Sequence, residues 1–74
     1  MYSEPHDDII RNKYLPYASQ YLAETHNFDL GLLDQVTLNT LIEEVLASMK
    51  HTGAYGEMNF TDLLAKKLMV MGYF

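Results

Sequence analysis

The most regular pattern in the sequence is a stripe of apolar residues with the spacing i, i+3, i+4, i+7, i+8, i+11. It consists of Leu38, Leu41, Ile42, Val45, Leu46 and Met49. Because an α-helix completes a turn in about 3.6 residues, this spacing places all of these side chains on one face. The pattern predicts an amphipathic central helix with Asp34 or Thr37 as its N-cap. It should end near Lys50 or His51, because Gly53 suits a left-handed C-terminal residue.

A second helical pattern lies nearer the N-terminus and contains a proline. Its apolar positions are Ile10, Tyr14, Tyr17, Ala18, Tyr21 and Leu22. A helix can begin near Ser3 to Pro5, because proline suits the first turn, where its missing N–H is not needed. Pro16 falls inside the pattern, where it removes a hydrogen bond and crowds the preceding turn. We predict either one kinked helix over about 5–26 or two helices meeting at Leu15-Pro16, and we favour a break or sharp kink.

The segment between these two helices is too apolar for an exposed loop. Residues 27–33 include Phe28, Leu30, Leu32 and Leu33. We therefore expect a half-turn here whose apolar side chains plug the core. A more typical loop follows the central helix, because residues 52–57 contain two glycines around one tyrosine.

The last helix has a recognisable start signal and one apolar side. Asn59 is a favoured N-cap residue, and Asp62 stands three positions later, as in a variant capping box. We predict a helix over about 60–71 that is closed by Gly72. Its apolar side consists of Phe60, Leu63, Leu64, Leu68 and Met71.

These patterns together predict an all-α fold, a small bundle of three to five helices in a single domain over residues 1–74. No alternating strand pattern is present. A chain of this length buries only roughly 60% of the surface that its unfolded form exposes. It has no cysteine, so neither disulfides nor thiolate metal sites can reinforce it. A partner subunit is therefore the leading remaining source of stability, and a helical bundle that is stable by itself is the alternative.

The charge balance bears on the kind of partner. Ten acidic residues against five basic ones give a net charge of −5. Nucleic acids and anionic membranes are bound through clusters of Lys and Arg, so we expect neither as a partner. No apolar run approaches the roughly 20 residues that cross a bilayer, and the acidic N-terminus does not resemble a signal peptide. We expect a cytoplasmic protein, which the lack of cysteine also fits.

The sequence shows no catalytic, cofactor or metal signature, and we predict none of these sites. His6, Asp7 and Asp8 could ligate a metal, but consecutive helical residues point in different directions. Glu43 and Glu44 lie on the polar face of the central helix, where we expect both carboxylates to be solvated. A small enzyme would need a site shared between subunits.

The main alternative is a DNA-binding regulator with a helix-turn-helix. The last helix would enter the major groove, with Lys66 and Lys67 on the phosphates. Two features count against it: the connection from Lys50 to Met58 exceeds the usual 3–4 residues, and Asp62 lies near the end of the helix that would meet the bases.

The residues best suited to a binding surface are aromatic and sulfur-containing. Two groups stand out, a row of tyrosines on the first helix and a C-terminal segment that is apolar nearly all round. Their members are Tyr14, Tyr17, Tyr21, Met69, Met71, Tyr73 and Phe74. Such side chains are enriched at protein interfaces. We expect a non-enzymatic interaction module, an inhibitor, adaptor or accessory subunit that binds a basic or apolar protein surface, a second copy, or both. In size and composition, though in no motif, it resembles the small accessory proteins of bacteriophages.

Overall fold

The computed structural model describes residues 10–74, and within that range all regular structure is helical. In chain order the elements are a π-helical turn, Ile10–Tyr14, helix α1, Leu15–His26, a 3₁₀ turn, Leu30–Leu32, helix α2, Gln35–Thr52, and helix α3, Glu57–Val70. This confirms the predicted all-α small bundle. The predicted helix start at Ser3 to Pro5 lies outside the described residues.

The helix around Pro16 changes its hydrogen-bonding pattern without leaving helical geometry. π-helical bonds give way to α-helical bonds at Leu15, and Tyr14 at the junction has φ −70° and ψ −48°. Pro16 is the second residue of α1, a position where no backbone N–H is required for an intrahelical bond. The kink or break at Pro16 stays a prediction.

The chain reverses after α1 through a left-handed residue. Asn27 has φ 52° and ψ 39°, and the backbone N–H groups of Asn27 and Phe28 both donate to the carbonyl oxygen of Leu22. This turn directs Phe28 and then Leu30 into the core, where both are buried.

The 3₁₀ turn that follows confirms the predicted half-turn but corrects one of its residues. Leu30 is buried and Leu33 packs against the core, whereas Leu32 is 77% exposed. Residues three apart lie on the same side of a 3₁₀ turn, so Leu30 and Leu33 face inward together. The prediction that Leu32 plugs the core was wrong, because it lies between them and faces outward.

Helix α2 forms as its apolar stripe predicts. Leu41, Ile42, Val45 and Met49 are buried, while Leu38 and Leu46 pack at the edge of the core. Asp34 is the N-cap, and its carboxylate accepts bonds from the Thr37 hydroxyl at 2.6 Å and the Thr37 N–H at 3.2 Å. Gly53, with φ 74°, ends the helix in the left-handed conformation.

The Asp34 cap makes the stability of α2 depend on pH. Hydrogen bonds from the Thr37 hydroxyl and the Thr37 N–H lower the pKa of Asp34. A lowered pKa in the folded state contributes stability that is present above the unfolded pKa of about 3.9 and lost as pH falls through the folded value. We expect the urea midpoint to fall more steeply below about pH 4 in the native protein than in Asp34→Asn, whose amide oxygen can still cap without titrating. Superimposable pH profiles for the two proteins would contradict this.

Helix α3 starts three residues earlier than predicted. Its N-cap is Gly56, which has φ 121° and ψ 157°, and Asn59 lies inside the first turn. Instead of capping, the Asn59 Nδ2 donates to the carbonyl oxygen of Ala54 at 2.8 Å. The prediction of Asn59 as N-cap was therefore wrong, because a glycine with positive φ supplied an earlier turn into the helix.

The core lies where α3 packs against α1 and α2. Phe60, Leu64 and Leu68 are fully buried. Phe60 meets Tyr14 with ring centroids 5.5 Å apart, and farther along Phe74 meets His26, so α1 and α3 run in the same direction. Helix α2 runs antiparallel to both of these helices.

Candidate functional site

The chain turns back on itself after α3 and brings its last residues against α1. Gly72 has φ 90°. The Gly72 N–H donates to the Met69 carbonyl and the Tyr73 N–H to the Leu68 carbonyl, each at 3.1 Å. This pair of bonds is the Schellman arrangement, which requires a left-handed residue where Gly72 stands. Tyr73 and Phe74 are thereby directed towards the far end of α1.

Five aromatic rings meet there. We call this group the aromatic end: Tyr21, His26, Phe28, Tyr73 and Phe74. The ring centroid of Phe74 lies 4.3 Å from that of His26 and 5.5 Å from that of Phe28. The planes of the Phe74 and Phe28 rings are inclined by only 25°. Tyr73 meets Phe28 edge-on at 5.5 Å, and Tyr21 meets His26 in the same manner at 6.1 Å. These separations are typical of aromatic pairs that stabilise one another.

The aromatic end is anchored inside and accessible outside. Phe28 is buried, and Phe74 is half-buried against the core. Tyr21 and Tyr73 remain 39% and 44% exposed. Tyr17, one turn from Tyr21, is 40% exposed, and these two tyrosines form a small cleft of ≈ 160 Å³ with Gln20 and Glu24. The surface therefore offers tyrosines whose supporting rings are already held in place.

The structure separates the residues predicted for binding into three groups: those at or beside the aromatic end, the buried Tyr14, and the two methionines Met69 and Met71. Tyr17, Tyr21, Tyr73 and Phe74 lie at or beside the aromatic end. Tyr14 is buried against Phe60, so a binding surface excludes it. Phe74 folds back on the protein's own core.

The two methionines lie elsewhere, Met69 on α3 and Met71 directly after it. Met69 is 55% exposed on its outer face. Met71, 51% exposed, lines a groove of ≈ 370 Å³ between α2 and α3 together with Leu41 and Val70. They extend the apolar surface beyond the aromatic end without belonging to it.

Sequence reasoning missed two members of the aromatic end. No pattern in the sequence singled out His26, yet its ring lies between those of Tyr21 and Phe74. Phe28 was assigned only to the core. The available signal was the left-handed tendency of Asn27, which turns Phe28 back beside the last residue of α1.

Ion pairs with carboxylates are formed by Lys13, Lys66 and Lys67. Lys66 Nζ is 3.1 Å from Asp62, Lys67 Nζ is 3.4 Å from Glu44, and Lys13 Nζ is 3.9 Å from Glu57. Pairing reduces the positive potential that a polyanion would meet. The loop between α2 and α3 spans only residues 53–56, so the expectation of a connection too long for a helix-turn-helix was wrong.

The side chains considered for metal or acid–base chemistry lie only partly within residues 10–74. No group of three histidine or acidic side chains in that range could hold a metal ion; the His6, Asp7, Asp8 cluster lies outside it. Glu43 and Glu44 are exposed on α2. In the same range no helix has the length and apolar character needed to cross a bilayer.

In comparison with known proteins, no protein family, curated protein or solved structure matches the chain. The class is defined by the fold alone, which is a small all-α bundle.

Proposed function

We propose that this protein is a non-enzymatic protein-interaction module, acting as a small acidic inhibitor, adaptor or accessory subunit of a larger assembly. The observation that carries the proposal is the aromatic end, which joins the tyrosine row of α1 to the C-terminal tail in one partly exposed surface. We further propose a cytoplasmic location and a bacteriophage origin, which the size, acidity and lack of cysteine suit.

The proposed mechanism is steric and depends on prearranged anchors. Tyrosines at interfaces combine a large apolar body with a polar tip, and they dominate binding energy when a partner covers them. Tyr21 and Tyr73 are held by contacts with His26 and Phe28, so binding costs them little side-chain entropy. The net charge of −5 favours a partner whose surface around the contact is basic.

Replacing two of these anchors tests the proposal. We expect Tyr21→Ser with Tyr73→Ser to weaken binding by about 30-fold or more, since a covered anchor contributes roughly 2 kcal/mol or more. The measurement is quantitative affinity capture from the native host, read by mass spectrometry, followed by titration of the captured protein with the purified chain. Far-UV circular dichroism must show that the variant keeps its helices.

Two further variants sharpen that experiment. Leu32→Ser is the matched control, because Leu32 is an exposed apolar residue on the 3₁₀ turn, which packs on α1 rather than on α3; it should bind like the native protein. Tyr17→Ser probes the edge of the surface and should weaken binding less than the double variant. Equal capture by the native chain and the double variant would refute the proposal.

The alternative of a helix-turn-helix regulator rests on the short loop between α2 and α3, whose four residues fit that motif. The paired Lys66 and Lys67 and the acidic Glu57 and Asp62 near the start of α3 weigh against it. Duplex binding that weakens steeply with salt, and that Lys66→Glu with Lys67→Glu abolishes, would favour the regulator.

A further inference from the structure

A row of exposed side chains at four-residue intervals runs obliquely across the outer surface of α3, turning by about 40° around the helix at each step. We call this row the α3 ridge: Met58, Asp62, Lys66 and Val70. All are well exposed, at 72% for Met58, 60% and 68% for the Asp62 and Lys66 side chains, and 88% for Val70. Most buried residues of α3, such as Phe60, Leu64 and Leu68, lie on the opposite side of the helix. The centre of the ridge is therefore turned away from the core of its own chain, while Val70 at one end borders the groove between α2 and α3.

We propose that the α3 ridge binds the same ridge of a second copy, with the two helices antiparallel across a twofold axis. This goes beyond the proposed function, because it names one partner and places it on α3 rather than on the tyrosines. A twofold interface must be self-complementary: if residue i of one copy contacts residue j of the other, then residue j of the first copy contacts residue i of the second.

The order of residues along the ridge satisfies that condition. It reads apolar, acidic, basic, apolar. Turning one copy end to end about the midpoint between Asp62 and Lys66 places Asp62 of each copy opposite Lys66 of the other. The interface then contains two ion pairs. The same reversal brings Met58 to the level of Val70 of the second copy at the two edges of the contact, because the row turns by about 120° around α3 from Met58 to Val70. Charge complementarity therefore selects a second copy as the occupant, because the chain already contains the matching pattern.

The geometry of helix packing suits such a contact. Rows of residues four apart form the ridges by which helices most often interdigitate, with axes about 8–10 Å apart. The α3 ridge spans 12 residues, or about 18 Å. Asp62 and Lys66 already pair along the helix at 3.1 Å, so dimerisation exchanges the one pair within each copy for two pairs across the axis.

Charge reversal in the purified full-length chain tests the proposal. Sedimentation velocity over a range of concentrations should show the native protein passing from monomer to dimer. Asp62→Lys alone, or Lys66→Asp alone, should raise the dimer dissociation constant on the order of tenfold or more, because like charges then meet twice across the axis.

Two rescue experiments follow from the twofold axis. The double variant Asp62→Lys with Lys66→Asp restores opposite charges across the axis and should dimerise again. An equimolar mixture of the two single variants should form a heterodimer, because one ridge is then wholly basic and the other wholly acidic at the two central positions. A partner protein with fixed charges would give neither rescue.

The outcomes separate this inference from the proposed function. A native protein that stays monomeric, single variants that dimerise normally, or a mixture that fails to associate would each overturn the dimer. Circular dichroism of every variant excludes unfolding as the cause of lost association. Tyr21→Ser with Tyr73→Ser should leave the dimer intact, whereas the charge variants should still capture a heterologous partner, so either proposal can fail alone.

Discussion

Phe60→Ala is expected to leave the chain largely unfolded at room temperature. The Phe60 side chain is fully buried and its ring packs against Tyr14, so it contributes where α3 meets the N-terminal helical region. Truncating a buried phenylalanine costs about 3–5 kcal/mol. A single core in a chain of this length seldom supplies more than about 3–5 kcal/mol in total. Urea unfolding followed by far-UV circular dichroism measures the effect.

The matched control for this variant is Val36→Ala. Val36 is 74% exposed on α2, and exposed substitutions usually change stability by less than about 0.5 kcal/mol. An unchanged urea midpoint for Phe60→Ala would mean that the packing of α3 described here is incorrect.

Gly56→Ala should cost about 2 kcal/mol, although a new methyl group there would touch nothing. No atom lies within 4 Å of a Cβ built on Gly56. The penalty comes from the backbone, because φ 121° and ψ 157° fall in a region that is essentially open to glycine only and costs roughly 1–3 kcal/mol otherwise. Thermal unfolding should show a midpoint lowered by about 10 °C.

Gly53→Ala provides the comparison. Gly53 also has open space around it, but its φ of 74° and ψ of 9° lie near the left-handed region that other residues enter at a cost of about 1–2 kcal/mol. We expect the smaller decrease in melting temperature for Gly53→Ala. The reverse order would show that the turn into α3 relaxes to a conformation other than the one described.

The parts of the fold that the sequence predicts are those governed by local periodicity. Helix α2 follows from its apolar stripe, and its ends follow from Asp34 and Gly53. The start of α3 was predicted incorrectly because two local signals competed. The Asn59 and Asp62 pattern resembles a cap, but the helix already begins after Gly56, and the Asn59 side chain donates to the Ala54 carbonyl oxygen instead.

The candidate site shows where local reasoning stops. Tyr21, Tyr73 and Phe74 could be chosen from residue type alone. Their meeting at one end depends on α1 and α3 running in the same direction, which no short-range pattern encodes. Tyr14 and Tyr17 illustrate the same point, since both belong to the tyrosine row, yet Tyr14 is in the core and Tyr17 is partly exposed.

The π-helical turn has a consequence for the alignment of the core. Four buried residues follow one another at intervals of four: Ile10, Tyr14, Ala18 and Leu22. In a uniform α-helix each such step would rotate the side chain by about 40°, so the first and last would diverge by about 120°. A π turn closes its hydrogen bonds over five residues and so rotates less per residue. Because the wide turn covers only the step from Ile10 to Tyr14, it offsets the drift over that step and leaves the four residues with a smaller divergence than a uniform helix would give them.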